Sequence, residues 1–588
     1  MKTINDVHQQ FAEYFPSKNS KPYLYLLSLK LSEGHICIDI NDLENEKIPD
    51  GYVLNPALLK KDPLVSVGGA ITPMILHQNL LYLQRYYTYE TLILKRIEEF
   101  IEQEEKYFLN NVKALVENKK FIQKLFDIDI SSRDKNEDKI NWQLVAAITA
   151  TMNHFTIITG GPGTGKTTTV AKILSILFTM NAGLKVALAA PTGKAATRMG
   201  ESLLNTSAGA DEEMKSLFES MEPLTIHRLL GWKKNSIYFK HNANNPLNYD
   251  VVIVDEASMI DVALFAKLLD AIGKNTRLIL LGDKDQLASV EAGSLFGDLC
   301  QGAGKLNAFG KEKAGIINQF INDTEARLGF EISTTSSPLA EHIIELKKSH
   351  RFSDTKGIGR FSKAIIKNDL NILKDFFENK DDQVEIDAQY QDNKFNEFIA
   401  GYEAYIKEKD IALALKKMNQ LKVLCAVREG EQGLYAINKK IEKYLLQRGF
   451  IKITGEFYEN RPVMITGNNY ELSLFNGDTG IVRYNENGEL RIWFEDKEGV
   501  KSVFPSFISN SETMYAITIH KSQGSEFEKV LVVLPSRDNV RILTRELLYT
   551  AVTRAKNKVL IQGSEEIILQ TATNFVKRGS GIIQRLTQ

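Results

Sequence analysis

Cysteine is scarce in this chain of 588 residues: Cys37, Cys300 and Cys425 lie far apart, and no CxxC pair exists. That excludes a disulfide framework, argues against a zinc site and suits a reducing compartment. Long apolar runs are missing too. No stretch of about 18 apolar residues occurs, and the start, MKTINDVHQQF, has no apolar signal core, so a cytoplasmic protein without membrane contact is expected. Net charge is nearly absent: 73 Lys and Arg against 74 Asp and Glu leave −1. This argues against a basic protein that coats DNA but permits a local groove that grips nucleic acid. No fixed-period repeat is present. What remains is ordinary, with 43% hydrophobic and 25% charged residues, which excludes disordered and fibrous classes. At roughly 100–200 residues per domain, the length predicts about three to five domains.

Residues 1–130 read as mostly helical. KPYLYLLSLKLSEGHICI has apolar positions at helical spacing before a turn at Glu33-Gly34, and LLYLQRYYTYETLILKRIEEFIEQEEKYF (80–108) carries a long amphipathic helical pattern. Its tyrosines, Tyr82, Tyr86, Tyr87 and Tyr89, read as packing residues, with a partner-binding face as the alternative. The polar stretch 130–140, ISSRDKNEDKI, reads as a linker. Beyond it, short β-rich runs alternate with helical segments: FTIITG, KVALAAP, DVVIVDE and TRLILLGD, then LKVLCAV, KVLVVLP and NKVLIQG. This pattern predicts two α/β units with parallel sheets, at 131–352 and 353–588. The Gly-, Ser- and Thr-rich stretch 301–340 is expected to be an irregular insertion. Short strands with Asn/Gly turns at 455–513 predict a small antiparallel barrel inserted in the second unit.

TIITGGPGTGKTTTV holds Gly160, Gly161, Pro162, Gly163, Thr164, Gly165, Lys166 and Thr167, followed by Thr168, and fits GxxxxGK[ST] with a strand before it and a helical run after it. Glycines let backbone N–H groups converge on phosphate oxygens, and the helix N-terminus adds a positive dipole end. Lys166 is placed to reach the β- and γ-phosphates and Thr167 to bind Mg²⁺, so ATP with Mg²⁺ is expected. VVIVDEASM (251–259) ends a buried strand on Asp255 and Glu256. Beside a phosphate loop these acids gain roles: Asp255 completes the Mg²⁺ shell, and Glu256 orients and deprotonates the attacking water. Gln286, in LGDKDQLASVEAG, falls at another strand end and could sense the γ-phosphate.

APTGKAATRMG (190–200), LTIHRLLG (224–231), LGDKDQLASVEAG (281–293), AITIHKSQGSEF (516–527) and ELLYTAVTRAKNKV (546–559) follow in order. Together they resemble the ordered motifs of superfamily 1 DNA helicases, and most nearly those of the RecD family, the alpha subunits of exodeoxyribonuclease V. DEASMID, FNGDTGIV, IHKSQGSEF and YTAVTRAK, with the N-terminal LSEGHICI and LYLQRYYTYE, spread the resemblance over nearly the whole chain; 301–340 has no match. The resemblance implies two RecA-like P-loop motor domains, a helical N-terminal partner-interaction domain and a small SH3-like β-barrel inserted in the second motor domain.

Residue by residue, it implies that Gln143 reads adenine, since an amide both donates and accepts. It implies that Arg351 and Arg554 come from the second motor domain to meet developing phosphate charge, and that Gly524 and Glu526 lie near the γ-phosphate and ribose. Thr192, Lys194, His227, Thr518 and His520 are DNA candidates, because such groups bind phosphates without reading bases. GWKKNSIYFKHNANNPLNYD (231–250) could be a hairpin that splits a duplex or a long loop.

The activity implied is that of a 5′–3′ ATP-dependent DNA helicase subunit. Working with RecB-like and RecC-like partners on single-stranded DNA and duplex ends, it would serve recombinational repair, with nuclease activity in a partner. A stand-alone helicase and a regulatory subunit with a decayed motor are the alternatives. Intact Lys166, Thr167, Asp255, Glu256, Gln286 and Arg554 speak against decay. Lys166→Gln is expected to abolish DNA-stimulated ATP hydrolysis; a variant that hydrolyses ATP normally would place the site elsewhere.

Overall fold

The computed structural model describes residues 6–67, 70–126, 139–206, 212–234, 236–289, 291–330, 337–469, 471–496, 499–536, 541–576 and 578–586. Most of the expected linker at 130–140, and with it the expected boundary at 130/131, lies outside the described residues, as do 331–336 of the expected insertion.

Six parallel strands make the first sheet, in the spatial order Ile343–Glu345, Phe155–Thr159, Arg277–Gly282, Val251–Val254, Val186–Ala190, Leu224–Thr225. The strands Val251–Val254 and Val186–Ala190 are apolar throughout because both faces are covered. Alternate residues serve opposite cores. Ile158, Leu188, Val251, Ile253, Ile279 and Leu281 pack under the helices Trp142–Met152 and Lys166–Met180. Phe155, Ile157, Val252, Val254, Leu278 and Leu280 pack under Val262–Ala271 and Leu295–Gly302.

The second sheet is also parallel, in the order Val384–Asp387, Ala555–Gln562, Phe527–Val533, Leu421–Cys425, Ala516–Thr518. Between its adjacent strands Leu421–Cys425 and Ala516–Thr518 the chain forms the helix Leu434–Gln447 and then a five-stranded antiparallel sheet. That sheet runs Gly499–Val503, Leu490–Asp496, Thr479–Tyr484, Pro462–Ile465, Ser511–Thr513 around its own core of Val463, Ile465, Val482, Ile492 and Phe494.

The N-terminal region departs from the expected helical reading. The strands Cys37–Asp39, Leu80–Leu83, Met74–His77 and Val65–Ser66 form a four-stranded sheet there. The long helix begins at Gln84, not Leu80, and runs to Glu117. Leu80–Leu83 is apolar at every position, so its sequence does not distinguish a strand from a helix start. The expected irregular insertion at 301–340 is partly ordered as well: Lys311–Asn318 is helical, and Phe309, Ile317 and Phe320 are buried in the first core. Within 231–250 the chain turns back on itself, Lys240 N–H bonding Gly231 O at 2.9 Å and His241 N–H bonding Leu230 O at 3.0 Å. Among the described residues it holds one isolated bridge, Asn242 with Asn245, and no strand pair.

Because the antiparallel sheet has a separate core, Phe494→Ala is expected to destabilise it by about 3–5 kcal/mol. Hydrogen exchange should quicken across Pro462–Thr513 and stay unchanged at Leu421–Cys425; uniform quickening would mean one shared core.

Candidate active site

The phosphate loop leaves the strand Phe155–Thr159 and enters the helix Lys166–Met180. Gly163 and Gly165 take φ +77° and +81°, a conformation that side chains disfavour. Space forbids side chains there too. A Cβ on Gly163 would meet Arg351 Cβ at 2.4 Å, and one on Gly165 would meet Gln143 Nε2 at 2.3 Å. Lys166 Nζ donates to Gly160 O at 2.6 Å and Gly161 O at 3.3 Å. Its ammonium therefore rests on the loop's own carbonyls, the acceptors within reach where phosphate oxygens would otherwise lie. Gln143 Nε2 donates to Thr164 O at 3.1 Å, which sets its amide against the loop. Thr167 and Thr168 follow Lys166 in the helix's first turn, partly exposed.

Asp255 and Glu256 end the strand Val251–Val254. Burial, and then the neighbouring Glu256, push the Asp255 carboxyl above the usual range, while Lys166 opposes the shift. Glu256 has φ +52° and ψ 37°. A non-glycine residue in this left-handed region costs on the order of 1 kcal/mol. Glu256 N–H closes on Asp255 Oδ1 at 2.8 Å. Ser258 Oγ, one turn on, is buried with no hydrogen-bond partner among the described residues; nothing in the structure explains it.

A third acid, Asp283, ends the adjacent strand Arg277–Gly282. It accepts Gln286 Nε2 at 2.9 Å and Tyr549 OH at 3.1 Å. Burial raises its pKa against the pull of Lys166. Gln286 is buried, and its amide is committed to Asp283. Leu287 N–H bonds Thr550 Oγ1 at 2.9 Å, and Gln523 Nε2 bonds Leu287 O at 2.7 Å, so this loop is held by the second sheet's segments. The sequence reading missed Asp283, although it carries the signal that exposed Asp255, an acid closing an apolar strand.

The second unit supplies the other wall. Arg554 is buried, donating through Nε to Thr550 O at 3.1 Å and through Nη1 to Ser525 O at 3.2 Å. Burial lowers its pKa, and the carboxylates of Glu256 and Glu526 oppose that. Glu526 Oε2 accepts Arg351 Nη2 at 2.8 Å, while Arg351 Nη1 lies 2.8 Å from Oε1 and Arg198 Nη2 3.0 Å from Oε2 as ion-pair contacts. Burial alone would raise the Glu526 carboxyl; Arg198 and Arg351 hold it down, at about 2. Arg198 also donates to Gly524 O at 2.7 Å, and Gly524 takes φ +68°.

Arg351 does not arrive from the second sheet. The chain leaves the first sheet at Glu345 and passes the phosphate loop, with His350 N–H on Gly163 O at 2.8 Å and Ser349 Oγ on Pro162 O at 3.1 Å. Arg351 thus sits on the first unit's side, and the expected two arginines from the second unit reduce to Arg554.

These segments also match known proteins. The AAA domain model matches residues 143–292, and the UvrD-like helicase C-terminal domain model matches 513–561. Over 606 aligned residues the chain is 30% identical to the RecBCD enzyme subunit RecD of Buchnera aphidicola subsp. Acyrthosiphon pisum, covering 97% of each chain. The chain belongs to the RecD family. A RecD subunit from Mycolicibacterium smegmatis is 32% identical over 95% of this chain and 91% of its own. The ATP-dependent RecD2 DNA helicase of Deinococcus radiodurans is 28% identical over 73% of this chain but only 50% of its own length. The RecD match includes the N-terminal region and both sheets.

Of the DNA candidates of this RecD chain, Thr192, Lys194 and His520 line one cavity of about 260 Å³ between the units, with Met259, Ser289 and Gln523. Thr518 is buried beside it, accepting Lys521 N–H at 3.3 Å. Burial, and then Arg198, lower the Lys194 pKa to about 8. Burial also lowers His520, which favours a neutral ring. His227 does not line this cavity; its ring meets Phe239 edge-on at 5.7 Å, beside the 231–250 loop. No helix among the described residues is long and apolar enough to cross a membrane.

Glu256→Gln is expected to lower the rate of ATP hydrolysis about a hundredfold or more while nucleotide affinity holds. Glu256→Asn should lose hydrolysis equally without lowering Tm, since Asn tolerates the left-handed backbone. A hydrolysing Gln variant would remove Glu256 from the chemistry.

Proposed function

We propose that the chain is the ATP-driven DNA helicase subunit of a RecBCD-type complex, acting on single-stranded DNA and duplex ends beside RecB-like and RecC-like partners. The observation that carries this reading is the composite cleft. Phosphate loop, acid pair and Gln286 come from one sheet, and Arg554 from the other, so hydrolysis and the spacing of the two units are mechanically linked.

The residues fit ATP with Mg²⁺. Gly163 and Gly165 leave a cradle that any Cβ would fill, and Lys166 spends its ammonium on two loop carbonyls that it can exchange for phosphate oxygens. When bound, Mg²⁺ neutralises charge on the phosphate oxygens; Thr167 and Asp255 would hold it. Gln143 faces the adenine and Glu526 the ribose, Glu256 takes the proton of the attacking water, and Gln286 reports the γ-phosphate through Asp283. Arg554 meets charge that develops in transfer. Arg351 can join it only by leaving Glu526, so its release marks the step at which the cleft rearranges. Thr192, Lys194, Thr518 and His520 grip the strand, with His227 a separate contact near the 231–250 loop. The N-terminal region serves partners, and the inserted antiparallel sheet is an SH3-like barrel.

Strand displacement on tailed duplexes tests this reading, with the chain alone and with its partners. Unwinding of 5′-tailed but not 3′-tailed duplexes, dependent on ATP and Mg²⁺, is expected. Preference for 3′ tails would reverse the polarity, and DNA-independent hydrolysis would remove the motor reading.

A further inference from the structure

The motif RGSG, Arg578–Gly581, has no role in the cleft described so far. It lies in a tail that leaves the second unit after the helix Glu565–Thr573. The tail is rooted there: Arg545 N–H bonds Asn574 O at 2.7 Å, and Val576 N–H bonds Glu546 Oε2 at 3.2 Å. It then crosses to the other side of the molecule. Gly579 N–H bonds His35 Nδ1 at 2.8 Å, and Gly579 O accepts Ile36 N–H at 2.9 Å. Gly581 N–H bonds Glu90 Oε1 at 2.8 Å, and Arg585 Nη1 lies 3.3 Å from Glu90 Oε2, which also accepts Tyr82 OH at 3.0 Å. Glu90 is fully buried. Ile582 and Leu586 are buried among Leu295, Phe296 and Leu299 of the first unit.

The two glycines are needed for this approach. A Cβ on Gly579 would stand 2.4 Å from Cys37 O, and one on Gly581 would stand 1.9 Å from Tyr82 OH.

On the way, Arg578 Nη1 donates to Glu291 O at 3.2 Å and Gly293 O at 2.9 Å. Those two carbonyls end the loop that begins at Asp283 and carries Gln286. Ser289 Oγ donates to the same pair, at 2.8 and 3.3 Å, and Ser289 lines the inter-unit cavity with Thr192 and Lys194. Gly293 N–H in turn bonds Gly34 O at 3.0 Å in the N-terminal region. One guanidinium therefore fixes the far end of a loop whose near end faces the phosphate loop and whose middle faces the cavity.

We propose that Arg578 is a positioning residue for ATP hydrolysis. The described tail residues, Asn574 and Val576 on the second unit and Arg578–Leu586 beyond, strap the second unit to the N-terminal region, and through Arg578 they set the loop that joins the nucleotide site to the strand-binding cavity. This rests on the motor reading above. It gives the N-terminal region a direct hold on that loop, so a partner docked there is felt at Gln286 without touching the nucleotide.

The test uses the full chain with ATP, Mg²⁺ and oligo(dT). Arg578→Ala is expected to lower the DNA-stimulated kcat roughly tenfold, with KM for ATP changed less than about twofold. Arg578→Lys should restore most of the loss. Gly581→Ala, which expels the strap without altering Arg578, should reproduce it. In a Gln286→Ala background, Arg578→Ala should add little, because both act through one loop. Amide exchange at Gly293 and Ile36 should quicken in both strap variants, and this readout needs no catalysis. If the unaltered chain shows no DNA-stimulated hydrolysis, the motor reading fails while exchange still decides the strap. Wild-type kcat in both strap variants, unchanged exchange at Gly293, or a full additional loss in the Gln286→Ala background would overturn the proposal.

Discussion

Glu526 stands on the second unit's side of the seam, and two guanidiniums from the first unit's side, Arg198 and Arg351, close on it. A carboxylate that accepts one arginine N–H and lies against two guanidiniums is a charge-assisted contact. Breaking it strands charge in a partly buried place, which costs several kcal/mol. The rest of the cleft depends on it. It holds Arg351 beside Gly163, places Gly524 against Arg198, and keeps the buried Arg554 within the field of Glu256. The seam is thus fastened by a group that nucleotide chemistry can compete for, since phosphate oxygens attract the same guanidinium.

The charge arrangement on the first side follows a similar logic. Asp255, Glu256 and Asp283 gather near one lysine, and burial drives the pKa of both aspartates upward. Lys166 opposes that rise on both aspartates, Arg198 opposes it on Asp255, and Arg554 lies in the field of Glu256 and Asp283. The left-handed backbone at Glu256 stores a little further strain beside Asp255.

Much of this was legible in the sequence because it is local. The phosphate loop, the strand endings at Asp255 and the parallel α/β texture depend on residues within one turn or strand. Gln286 was read from its place at a strand end and Arg554 from the resemblance; Gln286 bonds Asp283, and Arg554 lies in the field of Glu256. The misses are long-range or ambiguous in pattern. Arg198 finds its partner more than three hundred residues away, and no local rule anticipates that. Leu80–Leu83 is apolar throughout, and only pairing with Met74–His77 and Cys37–Asp39 makes it a strand. Arg351 follows the last strand of the first sheet, and its motif position does not say which side of the cleft it serves. His227 packs edge-on against Phe239, a contact that its motif does not foretell.

The antiparallel sheet leaves and rejoins the second unit at Cys425 and Ala516, on strands that are direct neighbours. Because those strands are parallel, the chain leaves at the C-terminal end of one and returns at the N-terminal end of the other, a crossover that includes the helix Leu434–Gln447. The inserted sheet only lengthens that crossover, and the entropy of closing such an excursion grows only with the logarithm of its length. The motor's own hydrogen-bond ladder is therefore indifferent to how large the excursion is. An attachment of this kind can be lengthened, trimmed or exchanged over evolutionary time while the engine beneath it keeps its register.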